Sequence, residues 1–234
     1  MKPLLLIGAG GHCRSCIDVI EAEGKYRIAG IVERDGERRA SILGYKVLGN
    51  DNDLPELLKK HPYALITVGQ IKSSALRKKL FLHTQKLGFE LPTVISPRAY
   101  VSKTANLGNG TIVMHDALVN TGAIVGNNCI LNTKSLVEHD AIVEDHCHIS
   151  TASVVNGGTI IREKTFIGSN TITKEYITVG SVSSFIPIFS LFIKTEATCF
   201  LSPLTPVSFS IMEAKINASY LLFNGRPSDL LSQY

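Results

Sequence analysis

Between Ala99 and Gly180 the chain repeats a hydrophobic position every six residues. Val101, Leu107, Val113, Val119, Val125, Leu131, Val137, Val143, Ile149, Val155, Ile161, Ile167, Thr173 and Val179 fall on it, and Thr173 alone is not aliphatic. Two residues before each of the first thirteen stands a small residue, from Ala99 and Ala105 through Cys129 and Cys147 to Thr171. An amphipathic helix repeats every 3.6 residues and a half-buried strand every 2, so a period of six suits neither. It predicts a hexapeptide β-helix. Each short strand there turns one large side chain inward and keeps a small inward neighbour near a corner.

The residues before this repeat alternate strand and helix patterns. Pro3 to Ile7 reads as a buried parallel strand, followed by Gly8-Ala9-Gly10-Gly11-His12 and a helix to about Glu23. Arg27 to Val32 predicts a second strand, Asp53 to Lys60 a short helix, Tyr63 to Val68 a third strand and Ser73 to Lys86 a basic helix. The alternation implies a small Rossmann-like α/β unit over residues 1–92, with ligands at the carboxyl ends of its strands. Leu91 to Arg98 carries two prolines and reads as an extended joint. Residues 93–180 form the repeat domain. Residues 181–234 make an atypical tail in which the six-residue pattern stops at Gly180. No glycine occurs from 181 to 224, against 18 in residues 1–180. This tail either caps the open end of the coil or is foreign to the fold.

The glycine loop lacks the third glycine of a dinucleotide fingerprint, because Cys13 stands there, which argues against NAD. Gly8 and Gly10 still allow a tight turn that aims backbone N–H groups at a phosphate beside a helix N-terminus. With 44% apolar and 19% charged residues, the 234-residue chain reads as globular. The N-terminus has no signal-peptide pattern and no run of eighteen apolar residues occurs, so a cytoplasmic protein without a membrane span is expected. The net charge of +4 is concentrated in the front unit, which suits a small anionic ligand and is too scattered for nucleic acid. Five cysteines fit a reducing compartment. Cys129 and Cys147, 18 apart at the small inward position, read as packing residues. Cys13-Arg-Ser-Cys16 has no second pair to make a zinc site, and no metal is expected.

The hexads resemble the left-handed β-helix of hexapeptide acyltransferases. That resemblance implies three hexads per triangular coil, so residues 18 apart stack about 4.8 Å apart. Together with Gly8-Ala9-Gly10-Gly11-His12, Val68-Gly69 and the run from Val137 to Gly158, they are similar to the PglD/NeuD-type sugar acetyltransferases over about residues 3–180. The resemblance implies acetyl-CoA as co-substrate, transfer of its acetyl group to an amine or hydroxyl of a nucleotide sugar or sialic acid, and a homotrimer with sites between subunits. The family's general base falls on His139, flanked by Glu138 and by Asp140, which orients the imidazole. The acetyl-CoA contacts fall on His148, Gly157 and Gly158, with the Gly157 N–H facing the thioester oxygen. The substrate contacts fall on Gly8, Gly10, Gly11, His12, Asp35, Gly69 and Gln70, with Arg77 as a further candidate for phosphate.

Coil arithmetic adds constraints. Gly157 is His139 plus 18 and should stack on it. His148 is His139 plus nine, half a coil away, so each cleft is expected to take His139 from one chain and His148 from the next. His115 and His146 read as solvated outward residues. The family's last glycine-bearing coils, which help hold CoA, are replaced here by the tail. The alternative is therefore a non-catalytic relative that binds a nucleotide sugar or a protein partner. A zinc hydratase built on the same coil would need three histidines meeting at an interface, and the spacing of 139, 146 and 148 does not supply them.

Overall fold

A computed structural model describes residues 1–36 and 40–180 and the backbone of a strand at 184–185. The reading of the tail otherwise lies outside the described residues. The chain opens with strand β1 (Lys2–Ile7), helix α1 (Gly11–Glu23) and strand β2 (Tyr26–Val32). Strands β3 (Ser41–Ile42) and β4 (Tyr45–Gly49) follow, then helix α2 (Leu54–Leu58), β5 (Tyr63–Ile66) and helix α3 (Ala75–Leu87). The sheet runs β3-β4-β2-β1-β5, parallel except for the β3–β4 hairpin. Its interior strand β1 presents Leu4, Leu5, Leu6 and Ile7 to the core on both faces, as a strand covered by helices on each side must.

Three elements differ from the sequence expectation. Strands β3 and β4 occupy a stretch that carries no clear period. Their hairpin turns through Leu43 and Gly44, both at positive φ, as a tight two-residue turn requires. Helix α2 begins at Leu54, one residue later than expected. A short 3₁₀ turn over Asp51–Asp53 precedes it, closed by a reciprocal cap between Asn50 and Asp53.

From Val94 the chain winds as a three-faced parallel β-helix of the left-handed kind, built from two-residue strands. One face stacks Tyr100–Val101, Leu118–Val119, Leu136–Val137 and Val154–Val155. A second stacks Asn106–Leu107, Ile124–Val125, Ile142–Val143, Ile160–Ile161 and Thr178–Val179. The third stacks Val94–Ile95, Ile112–Val113, Ile130–Leu131, His148–Ile149, Phe166–Ile167 and Ser184–Phe185. From Tyr100 on, each strand therefore pairs with the one 18 residues along. The second residue of each pair fills the prism, so Val119, Val137, Val143, Ile149, Val155 and Ile161 are wholly buried. Every sixth residue from Gly110 to Tyr176 has a positive φ, which turns each corner. Glycine supplies this at 110, 122 and 158. Elsewhere side-chain residues adopt it, at a local cost of roughly 1–2 kcal/mol that the ladders around each corner offset. The repeat also outlasts Gly180: Ser184–Phe185 pairs with Phe166–Ile167, one strand past the expected end.

The third face is covered by the α/β unit. Ile112, Met114 and Ile130 pack in one cluster with Cys13, Cys16 and Ile17 of α1. This seam corrects three readings. Arg77 is wholly buried and unavailable to a phosphate. It donates to the carbonyls of Ile66 at 2.6 Å, Val68 at 2.8 Å and Asn128 at 3.2 Å, tying the end of β5 to the coil. His115 is not solvated. Its Nδ1 meets Ser96 Oγ at 2.6 Å and its Nε2 meets Asp18 of α1 at 2.7 Å. His146 is buried against the Phe81 ring, with centroids 5.5 Å apart. Cys129 and Cys147 are buried free thiols in one column, donating to the carbonyls of Glu144 and Arg162.

Candidate active site

The corner between the first and second faces carries Glu138, His139 and Asp140. Asp140 occupies the left-handed corner position, with φ +56°. Gly122 lies directly beneath it, at φ +70°, and a Cβ there would stand 2.5 Å from Asp140 Oδ1. The carboxylate can therefore turn sideways to His139, and Asp140 Oδ2 meets His139 Nδ1 at 3.0 Å. Both side chains are open to solvent, the imidazole 51% and the carboxylate 73% exposed. An acid on Nδ1 fixes the proton there and leaves the Nε2 lone pair bare, the tautomer a general base needs. Glu138 Oε2 accepts from Asn120 Nδ2 at 2.7 Å and from the His139 N–H at 3.3 Å, which pins the backbone that carries the imidazole.

Nε2 points at the next coil. A Cβ on Gly157 would lie 2.6 Å from it, so only glycine leaves the ring its place. The Gly158 N–H donates to the His139 carbonyl at 3.0 Å, locking the two coils in register. Gly158 itself is at φ +63° and lies under the Tyr176 ring, where any side chain would collide. Asn120, Gly122 and Tyr176 are additions to the sequence-based set. Each was reachable by adding or subtracting 18 from Glu138, Asp140 or Gly158.

His148 lies elsewhere, on the third face under the α/β unit. It is buried, with Nδ1–H donating to the Gln70 carbonyl and Asn132 Nδ2 3.3 Å from Nε2. Its ring meets Phe166 edge-on, with centroids 5.1 Å apart. Burial pushes its pKa down to about 4, so the imidazole is neutral at physiological pH. Gln70 reaches across the same seam, and its amide donates to the His146 carbonyl at 2.8 Å. His12, on the first turn of α1, has its pKa pushed down to about 3 by burial, with Nε2 buried and unpartnered. Gly69 packs on the His12 Cβ, which a side chain at 69 would meet at 3.4 Å.

The glycine loop forms a third cluster. Gly8, at φ +111°, lies against Val68, and its carbonyl accepts from the Thr67 hydroxyl at 2.6 Å. Gly10 and Gly11 face open space. With Ala9 and Arg14 they line an open cavity of about 250 Å³ at the N-terminus of α1. That helix has no acidic residue in its first turn and no side-chain cap, so its first N–H groups suit an anion. Arg14 adds a cation that the sequence reading did not single out. Asp35, exposed beyond β2, accepts from Asn50 Nδ2 at 3.5 Å. Among the described residues, no group of three or more His, Cys, Asp or Glu side chains is arranged to hold a metal ion. No described helix is long and apolar enough to cross a membrane.

The structure thus joins Glu138, His139, Asp140, Gly157 and Gly158 at one corner. It sets His148, Gln70, Gly69 and His12 along the seam, and Gly10 and Gly11 at the helix N-terminus. The two imidazoles of one chain lie on different parts of the prism.

Known proteins share this arrangement of units. The PglD N-terminal domain family matches residues 3–82. The acetyltransferase domain of PglB from Neisseria gonorrhoeae, solved with acetyl coenzyme A, is 32% identical. That match covers 77% of this chain and 85% of that one, with a TM-score of 0.71. A perosamine N-acetyltransferase variant from Caulobacter crescentus, solved with CoA and GDP-perosamine, is 28% identical over 77% of this chain and 90% of that one, with a TM-score of 0.59. The UDP-N-acetylbacillosamine N-acetyltransferase of Bacillus subtilis is 29% identical over 119 residues, 49% of this chain. That match spans about half the length of the curated relative, 52%.

Proposed function

Because this chain belongs to the PglD-type family of sugar acetyltransferases, we propose that it moves an acetyl group from acetyl-CoA to a primary amine of a nucleotide-activated amino sugar. The observation that carries this reading is the His139 imidazole, held by Asp140 on one nitrogen and presenting the other beside Gly157. The neutral amine attacks the thioester carbonyl carbon while His139 Nε2 takes one of its protons. The carbonyl oxygen gains charge and accepts from the Gly157 N–H. Collapse of the tetrahedral intermediate breaks the C–S bond, and the departing thiolate takes the proton back from His139. Asp140 steadies the imidazolium that exists between the two transfers. Acetyl-CoA and the amino sugar are both substrates, and no metal has a part in this scheme.

In this reading residues 1–92 bind the nucleotide sugar, with a phosphate at Gly10, Gly11 and Arg14 and a ribose or base at Asp35. Residues 93–180 carry out the transfer. Gly8, His12, Gly69 and Gln70 shape the loop that joins these roles. His148, with Asn132 beside it, lies toward the acyl donor of a neighbouring copy. A homotrimer is supported by the outer columns of the two uncovered faces. Tyr100, Leu118, Leu136, Val154 and Ile172 form one, and Ile124, Ile142 and Ile160 form the other, all half-buried or exposed in the single chain. Apolar columns this long on a folded surface mark an interface. The His139 corner stands where these two faces meet. In this proposal each cleft takes His139 from one chain and His148, which the single chain buries on its third face, from the next.

The test is incubation of the full chain with acetyl-CoA and a panel of UDP-, GDP- and CMP-linked amino sugars, with products read by mass spectrometry. An acetylated amino sugar and a stoichiometric free thiol are expected. Tight binding of both ligands without product would favour a non-catalytic binding protein instead.

A further inference from the structure

Thr173 is the one break in the aliphatic column, and its hydroxyl redirects the hydrogen bonds beside the proposed base. On the two preceding coils, the N–H after the inward aliphatic residue donates to a carbonyl on the next coil. Asn120 N–H reaches Val137 O at 2.8 Å and Glu138 N–H reaches Val155 O at 2.9 Å. One coil later the Asn156 N–H goes to the Thr173 hydroxyl instead, at 2.9 Å. The Thr173 carbonyl, so released, accepts from Asn156 Nδ2 at 2.7 Å. The Asn156 side chain is thereby turned toward the following coil.

The consequence falls on Gly157. In its column, Asn120 Oδ1 caps the Thr121 N–H at 2.8 Å, and Glu138 Oε2 caps the His139 N–H at 3.3 Å. Among the described residues nothing caps the Gly157 N–H. Gly157 is buried, whereas Lys103, His115, Asp145, Thr151, Ser169 and Glu175, the equally placed residues without an N–H partner, are not. Backbone N–H groups of buried residues nearly always have a partner, so one left open calls for a reason.

We propose that Thr173 and Asn156 are positioning residues that keep the Gly157 N–H open for the thioester oxygen. The inference rests on the reading of Gly157 as the donor to that oxygen. Valine at 173, which the hexad pattern calls for, would return the residue 173 carbonyl to the Asn156 N–H. It would also release the Asn156 amide, whose Oδ1 could then cap Gly157 as Asn120 caps Thr121. An N–H already capped by its neighbour gives the developing oxyanion little.

Four variants of the full chain test this: Thr173→Val, Thr173→Ala, Thr173→Ser, and Thr173→Val combined with Asn156→Ala. The readouts are acetyl-transfer kinetics and the amide resonance of Gly157 in protein labelled with ¹⁵N-glycine. Loss of the hydroxyl in the valine or alanine variant should lower kcat about 10- to 100-fold, with KM for acetyl-CoA nearly unchanged. Serine should keep the wild-type rate. Removing the Asn156 amide in the valine background should restore most of the loss, which a merely structural role of Thr173 would not allow. The temperature coefficient of the Gly157 amide proton should move to the hydrogen-bonded range in the valine variant and return in the double variant. Wild-type kcat in both hydroxyl-less variants, or an unmoved Gly157 amide, overturns the proposal. The resonance needs no turnover, so a chain that transfers no acetyl group counts against the functional reading and leaves this one decided by the amide.

Discussion

His148 and His12 show how much a single residue's surroundings decide. Both look from sequence like ligand contacts, yet His148 is buried in the seam between the α/β unit and the coil, and His12 is half-buried with its Nε2 enclosed. Burial depresses their pKa values, to about 4 for His148 and about 3 for His12, with the Arg77 cation acting in the same direction. A depressed histidine stays neutral in the folded chain where the unfolded chain would bind a proton. Its contribution to stability is therefore complete above the unfolded value near 6.5 and is lost as the pH falls toward 4. Thermal unfolding followed from pH 7.5 to pH 4.5 should show Tm falling below about pH 6.5. Replacing His148 with a ring that cannot take a proton, His148→Phe, should flatten the fall, and an unchanged slope would contradict it. At this scale the sequence told part of the story. The His139–Gly157 pair was legible because 18 added to one gives the other. The fate of His12, Arg77, His115 and His146 was not, because burial depends on which face of the prism the front unit covers.

Among the elements, the coil was legible and the edge of the α/β sheet was not. A repeat of six survives in the sequence because every inward side chain meets the same three-sided space. Strands β3 and β4 escaped because they are short, lie at one edge and bury little: the residues of β4 are exposed or half-buried throughout. The hairpin between them turns on Leu43-Gly44, which lacks the Asn-Gly or Asp-Gly signature that marks such turns. The coil owes its stability to its inward column, and Leu131 is wholly buried in it. Leu131→Ala should cost about 2–5 kcal/mol in denaturant unfolding, since the stacked coils on either side cannot collapse into the cavity. A loss below about 1 kcal/mol would mean that the column is looser than its burial indicates. Thr173 belongs to this scale as well. As a lone hydroxyl in an aliphatic column it was visible in the sequence, and its purpose appears only when the neighbouring hydrogen bonds are traced.

The whole molecule brings a question that one chain cannot answer alone, because His139 and His148 lie on different parts of one prism. The proposed trimer joins them across a cleft, and subunit mixing tests it. Preparations of His139→Ala and His148→Ala, each nearly inactive, are unfolded and refolded together in equal amounts. A cleft is then whole when one neighbour supplies His139 and the other supplies His148. Random assembly should restore about a quarter of the wild-type activity in a closed ring. Activity that stays at the level of the separate variants would mean that each site is built within one chain, or that only one of the two histidines takes part.

The account stands most directly on the imidazole at 139. The decisive measurement is the rate of thiol release from acetyl-CoA with a saturating nucleotide-linked amino sugar, compared between the wild-type chain and His139→Ala. Binding of both substrates is followed in parallel by calorimetry. A general base at this position predicts a kcat about 10²–10⁴ lower in the variant, with both affinities nearly intact. An alanine variant that turns over as fast as the wild type would contradict it.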